Sequence, residues 1–282
     1  RLVYGRITGW GQDGPLANAA GHDLNYIALS GALAAIGRRG EAPAVPLNLV
    51  GDYGGGAMLI AFGIVCALLE ARRSGLGQVV DAAMCEGAAT LMASVFGMVA
   101  AGLHSLERGT NLLDSGAPHY DVYRCADGQW IAVAPIERKF RIELLRRIGF
   151  DPEDFPDVDD PACWPAARAL LAERFAGQNR DYWCGLLEGT DACFAPVLTV
   201  AEAPEHPHNQ ARGAFLPLDG VMQPGPSPRF SRTPAEAPTP PDIPGGSSRA
   251  ILAGWGFAED RIEALERSGI VRQSGRSSTE AH

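Results

Sequence analysis

The sequence predicts an α/β protein with a doubly wound parallel sheet and a separate, smaller α+β domain. Three observations carry that expectation. Residues 47–83 read as an apolar approach, a glycine turn, a long apolar helix and a returning strand, the repeating unit of a parallel sheet. From Asp121 the texture changes, and two short strands flank Ala126-Asp127-Gly128, a strong hairpin signal. The chain has 282 residues, 46% hydrophobic and 20% charged, enough for one large or two ordinary domains.

Taken in order, Leu2 to Thr8 is an opening strand, and Gln12 to Pro15 is turn chemistry. A chain that opens in mid-strand reads as a fragment or a trimmed piece. Leu24, Ile27 and Leu29 give a short helix an apolar side, with His22 and Asp23 at its beginning. The organising stretch is Leu47 to Gly56. One carboxylate, Asp52, precedes Gly54-Gly55-Gly56, and an apolar run follows from Ala57 to Leu69. Glycines before a helix leave backbone N–H groups unshielded, so that helix start is expected to accept negative charge. A plain N-cap is the other reading of Asp52. The helix expected over Gly54 to Arg73 is apolar on nearly all sides, so it should be buried between layers.

Gln78 to Ala83 returns as a buried strand, and Glu86 to Ala101 as a second helix. The hairpin strands are Val122 to Cys125 and Gln129 to Val133. Helices are expected over Arg138 to Ile148, Trp164 to Phe175 and Arg180 to Leu187, with a short strand over Ala195 to Leu198. Glu202 to Asn209 reads as an exit linker, and Gly213 to Ser247, rich in proline and glycine, as long extended connections. Ile251 to Ser268 forms one or two short helices, and the last residues are expected to be mobile. The domain bounds are 1–83 for the large domain, 84–120 for a helical linker, 121–206 for the small α+β domain, and 207–282 for a return linker and the C-terminal part of the large domain.

Net charge is −9 and Lys139 is the single lysine, which argues against nucleic acid or an anionic membrane as main partner. Ala57 to Leu69 is too short to span a bilayer. The six scattered cysteines, with no Cys-x-x-Cys pair, read as reduced thiols of a cytoplasmic protein, and no metal site is expected. The terminal Ser277 to His282 carries no targeting tripeptide.

The stretches Gly21-His22-Asp23-Leu24-Asn25-Tyr26, Asn48 to Gly56, and Gly77 to Met84 closely resemble the α-methylacyl-CoA racemases, within the family III CoA-transferase superfamily. The likeness continues through Arg108-Gly109, Gly116-Ala117-Pro118, Tyr120 to Tyr123, Ile136-Glu137 and Pro228 to Thr233, and is weakest after about Thr239. The resemblance implies a Rossmann-like, CoA-binding large domain built from both ends of the chain and an interlocked homodimer. Its active site lies between the large domain of one subunit and the small domain of the other. It also implies roughly a hundred further residues in front, one domain's worth, forming the first Rossmann half and much of the adenine and phosphate grip.

Carried over by motif, His22 and Asp52 are the two acid–base groups that invert the α-carbon of a 2-methylacyl-CoA. Glu137 hydrogen-bonds the His22 imidazole and favours its protonated form. Gly21, Asp23, Leu24, Asn25 and Tyr26 are the candidates for the thioester end and pantetheine. No resident cofactor is implied, coenzyme A entering as part of the substrate. N–H groups at the start of the Gly54 helix are expected to stabilise the enolate. Met84, Met92 and Met98 either line an acyl surface or pack as core. Two other readings stand beside the racemase. One is a family III CoA-transferase with Asp52 as nucleophile; the other is an inactive CoA-binding relative. His22 and Glu137 favour the racemase, because a transferase needs no opposing base.

Overall fold

The computed structural model describes residues 1–274. The terminal residues expected to be mobile lie outside them. The described chain divides into two compact units, residues 1–197 and 198–274.

The first unit opens with β1 (Tyr4–Thr8), which pairs in parallel with β2 (Val79–Ala83), Tyr4 opposite Val79 and Thr8 opposite Ala83. Between them come α1 (Asp23–Leu29), α2 (Ala32–Ala35), a π-helix (Leu49–Met58) and α3 (Leu59–Ser74). The regular elements of the crossover are therefore all helical. The apolar approach expected before Gly51 as an extended segment is instead the first turn of the π-helix. Gly75 ends α3 in the left-handed region at φ 81°, its N–H bonded to the Ala71 carbonyl.

One face of α3 lies on the parallel strands: Ile60 and Ile64 come down over Gly5, and Gly63 admits Val80. Ala67 and Ala71 continue that face at helical spacing and are buried. The opposite face is not covered. Phe62 is 68% exposed and Leu69 60%, so the helix expected between two layers has only one. The physical reason is that two strands cover a single side of a helix. The continuous helical stretch Leu49–Ser74 has 26 residues and a mean hydropathy of 1.9 in its apolar window. By length and composition it suffices to cross a membrane, a measure that core helices of soluble proteins also meet. The uninterrupted apolar run Ala57 to Leu69 is the central part of that longer stretch.

The second helix is two: α4 (Met84–Leu91) and α5 (Ala93–Ala100), broken at Met92. Met92 packs, with Leu33 and Val50, against a small core of Ile27, Ala32 and Ala88.

The rest of the unit matches its expected texture. The strands β3 (Asp121–Arg124) and β4 (Trp130–Val133) form an antiparallel hairpin, joined on the other side of β4 by β5 (Phe194–Pro196). Gly128 supplies the turn's left-handed residue at φ 80°. The Asp127 carboxylate accepts from the N–H groups of Gln129 and Arg180, which fixes the turn to the next helix start and holds that carboxyl below its usual range. The helices α6 (Arg138–Arg147), α7 (Trp164–Ala176) and α8 (Arg180–Leu187) cover the sheet. Tyr123, Ile131, Val133, Leu144, Leu171, Phe175, Trp183 and Leu187 form one buried core. Its two polar tips are satisfied: Trp183 Nε1 donates to the Phe175 carbonyl at 3.0 Å and the Tyr123 hydroxyl to that of Pro118 at 2.5 Å.

The second unit departs from its expectation. The exit linker holds a helical turn, α9 (Pro207–Ala211). Within the stretch expected as extended connections, β6 (Phe215–Leu218) and β7 (Val221–Pro224) form an antiparallel hairpin. Asp219 and Gly220, at φ 50° and 78°, make the turn that right-twisted strands prefer. The helices α10 (Ser248–Gly254) and α11 (Glu259–Arg267) follow, joined by Arg249, which pairs with both Glu259 and Glu266.

Candidate active site

The motif residues gather where α1 meets the π-helix. His22 is the N-cap of α1, in extended conformation, and its backbone N–H donates to Asn25 Oδ1 at 3.1 Å. The exposed Asn25 side chain thus closes the first turn of its own helix. Tyr26 is buried, its ring set edge-on against Trp10 at 4.7 Å, and its hydroxyl donates to the Gly21 carbonyl. Burial raises the Tyr26 phenol above its ordinary pKa, and the Asp52 charge adds to that rise. Gly21 is glycine because a Cβ there would lie 2.8 Å from the Tyr26 ring and 2.9 Å from Trp10. Leu24 and His22 face outward.

Asp23 turns inward. It is 6% exposed, and its Oδ2 accepts from the backbone N–H groups of Gly51 and Asp52, each at 2.7 Å. Its Oδ1 is buried and has no hydrogen-bond partner among the described residues. The Asp52 carboxylate, half-buried, accepts from Asn48 Nδ2 at 3.1 Å. Asn48 stands four residues earlier, the spacing of one helical turn. Reading Leu47 to Gly51 as helix rather than as an extended approach is the signal that would have found it.

The glycines of the π-helix serve packing rather than anion binding. Gly54 to Gly56 lie in its second half, where backbone N–H groups are taken by carbonyls five residues back. Of the first-turn N–H groups, those of Gly51 and Asp52 are both taken by Asp23. The helix start expected at Gly54 lies instead at Leu49. A Cβ on Gly55 would lie 2.6 Å from Ala88 N, and one on Gly87 would lie 1.8 Å from Gly55 O. Met84 sits against Gly56.

Glu137 lies elsewhere, exposed at the N-cap of α6, with its carbonyl receiving the N–H groups of Phe140 and Arg141. Among the described residues no hydrogen bond joins it to His22. The two regions are tied by Asp121, whose buried carboxylate accepts from Arg38 at 2.8 and 3.2 Å and pairs with Arg168 of α7. Arg168 also donates to the carbonyls of Ser115 and Gly116 at 2.7 Å. Nearby, Arg108 donates to the carbonyls of Ala34 and Glu41, fixing the loop after α2. No group of three or more His, Cys, Asp or Glu side chains among the described residues is placed to hold a metal ion.

Chemically, the α1–π-helix junction offers an exposed imidazole and a half-buried carboxylate, one residue on either side of a shared anchor. Imidazole and carboxylate are both groups that serve as general acid and base. The family model for CoA-transferase family III matches residues 1–247. An α-methylacyl-CoA racemase of Mus musculus is 43% identical over 275 residues, 96% of this chain and 72% of that protein. The Homo sapiens protein of the same name is 40% identical over 276 residues, 97% and 72% respectively. Among solved structures, a CaiB/BaiF family protein from Brucella suis superposes with a TM-score of 0.75 at 24% identity, covering 90% of this chain and 68% of its own, a likeness of fold.

Proposed function

We propose a racemase reaction for this chain, which belongs to CoA-transferase family III. The substrate is a 2-methylacyl-CoA thioester, an assignment supported by the two racemase relatives. The observation that carries the reaction is the junction itself, where the residue after His22 accepts the backbone N–H of Asp52.

The thioester carbonyl acidifies the neighbouring α-hydrogen. One of His22 and Asp52 takes that proton, and the C–H electron pair moves into an enolate. The other returns a proton to the opposite face, inverting the centre. With the reverse enantiomer the roles exchange, so each group alternates as acid and base. Gly21, Leu24 and Asn25 lie beside His22 to receive the thioester end. The reaction needs no resident cofactor; coenzyme A is part of the substrate.

The functional unit is a homodimer, in which the small domain of one protomer brings its Glu137 to the His22 of its partner. The uncovered apolar face of α3, with Phe62, Val65 and Leu69, supports association. Six free cysteines support a reducing, cytoplasmic compartment.

The test is solvent exchange. A single enantiomer of a 2-methylacyl-CoA incubated in deuterated water is expected to gain one deuterium at the α-carbon and to lose optical purity together. An acyl group trapped on Asp52 by hydroxylamine, with no deuterium gained, would replace the racemase by a transferase.

A further inference from the structure

We propose that Asp23 is a positioning residue, a carboxylate clamp that holds His22 and Asp52 in fixed register across the α1–π-helix junction. The inference rests on the racemase reading and adds a role for a residue whose sequence context points to coenzyme A.

The carboxylate cannot serve the substrate. Asp23 is 6% exposed, Oδ2 is engaged by two N–H groups at 2.7 Å, and Oδ1 is sealed from solvent. A buried carboxylate is costly unless paired or hydrogen-bonded, and the charge-assisted bonds to Gly51 and Asp52 are the ones it has. Those N–H groups belong to the first turn of the π-helix, where backbone donors lack intrahelical partners. One oxygen thus joins two segments 28 and 29 residues apart in sequence.

The geometry is unusually direct. Asp23 is peptide-bonded to His22, and it grips the backbone nitrogen of Asp52 itself. Any shift of one acid–base group is transmitted to the other through this short chain of bonds. Gly51 completes the fit: a Cβ there would lie 2.6 Å from Asp23 Oδ2 and 2.9 Å from Cγ. A two-base inversion needs its groups fixed on opposite faces of one carbon, and misplacement by about 1 Å costs about 10²-fold.

The experiment compares Asp23→Ala, Asp23→Asn and Gly51→Ala with the wild-type full chain, using two readouts. The first is amide hydrogen exchange at Gly51 and Asp52. Protection is expected in the wild type, retained in Asp23→Asn, whose amide oxygen still accepts, and lost in Asp23→Ala and Gly51→Ala. The second is kinetic, following α-deuterium gain and inversion separately. Asp23→Ala is expected to lower kcat for inversion about 10²-fold, with KM within about threefold and a raised ratio of exchange to inversion. Asp23→Asn should recover to within about tenfold of wild type.

A raised KM at unchanged kcat would make Asp23 a substrate contact and overturn the proposal. So would an equal loss of exchange and inversion that follows the loss of folded protein. A wild type with protected amides but no deuterium gain overturns the racemase reading, and the positioning role with it, while the clamp stands.

Discussion

Gly87 rests its α-carbon on the carbonyl of Gly55, so closely that a methyl group at position 87 would lie 1.8 Å from that oxygen. The π-helix and α4 are therefore joined at backbone distance, in the same helix that carries Asp52. Gly87→Ala is expected to destabilise the chain by about 3 kcal/mol or more, since backbone must move to admit the methyl. At Gly97, in α5, an added methyl would meet nothing within 4 Å among the described residues. There Gly→Ala should stabilise by about 0.5–1 kcal/mol. Urea titration of the two variants separates close packing from helix propensity.

Removing Asp121 leaves the guanidinium groups of Arg38 and Arg168 facing each other without their shared anion. The carboxylate side chain is 2% exposed, so Asp121→Ala is expected to cost about 3–5 kcal/mol. Arg39→Ala breaks the exposed pair with Glu107 and should cost less than about 1 kcal/mol. The contrast is read from denaturation midpoints at equal slope.

Stability should fall with acid through His119. The imidazole is buried, with Nδ1 unpartnered among the described residues, and burial lowers its pKa to about 4. The Arg141 charge contributes to that lowering and Asp159 partly opposes it. An unfolded histidine titrates near 6.5. The unfolded chain therefore binds the proton first as pH drops, so the stabilising difference is complete above about 6.5 and lost progressively down to about 4. Melting temperatures measured across that window should decline, and His119→Gln should flatten this part of the decline.

His22→Ala and Asp52→Ala should each stop inversion, because every turnover uses both groups. The loss is expected to be at least about 10²–10⁴-fold. Residual α-exchange should persist from opposite enantiomers in the two variants, since each retains the base of one face. Chiral analysis combined with mass spectrometry of recovered substrate distinguishes this from a uniform loss.

Much of the fold was legible in the sequence, for reasons that differ by region. The β3–β4 hairpin was plain because Ala126-Asp127-Gly128 encodes its turn locally. The π-helix was not, because five-residue hydrogen bonding has no side-chain signature, and the short apolar run Leu47 to Gly51 fits an extended segment as well as a helix. Asp219-Gly220 carries the same turn chemistry as the first hairpin, but the surrounding prolines masked it. His22 and Asp52 stand out in the sequence as a motif, whereas the bond from Asp52 to Asp23 spans a sequence gap that no local pattern reports. The exposed side of α3 has a different cause. Apolarity says that a face wants cover, and says nothing of whether its own chain supplies it.

The clamp has a consequence for inheritance. The tightest obstacle to a side chain at position 51 is the Asp23 carboxylate, with Ile27 Cγ2 next at 3.2 Å. A lineage that lost the carboxylate at position 23 would lose the main constraint on the glycine as well, and the two changes would be harmful or tolerated depending on their order. Double-mutant coupling between Asp23→Ala and Gly51→Ala should therefore be strongly non-additive, so that two positions far apart in the gene are tested by selection as a single character.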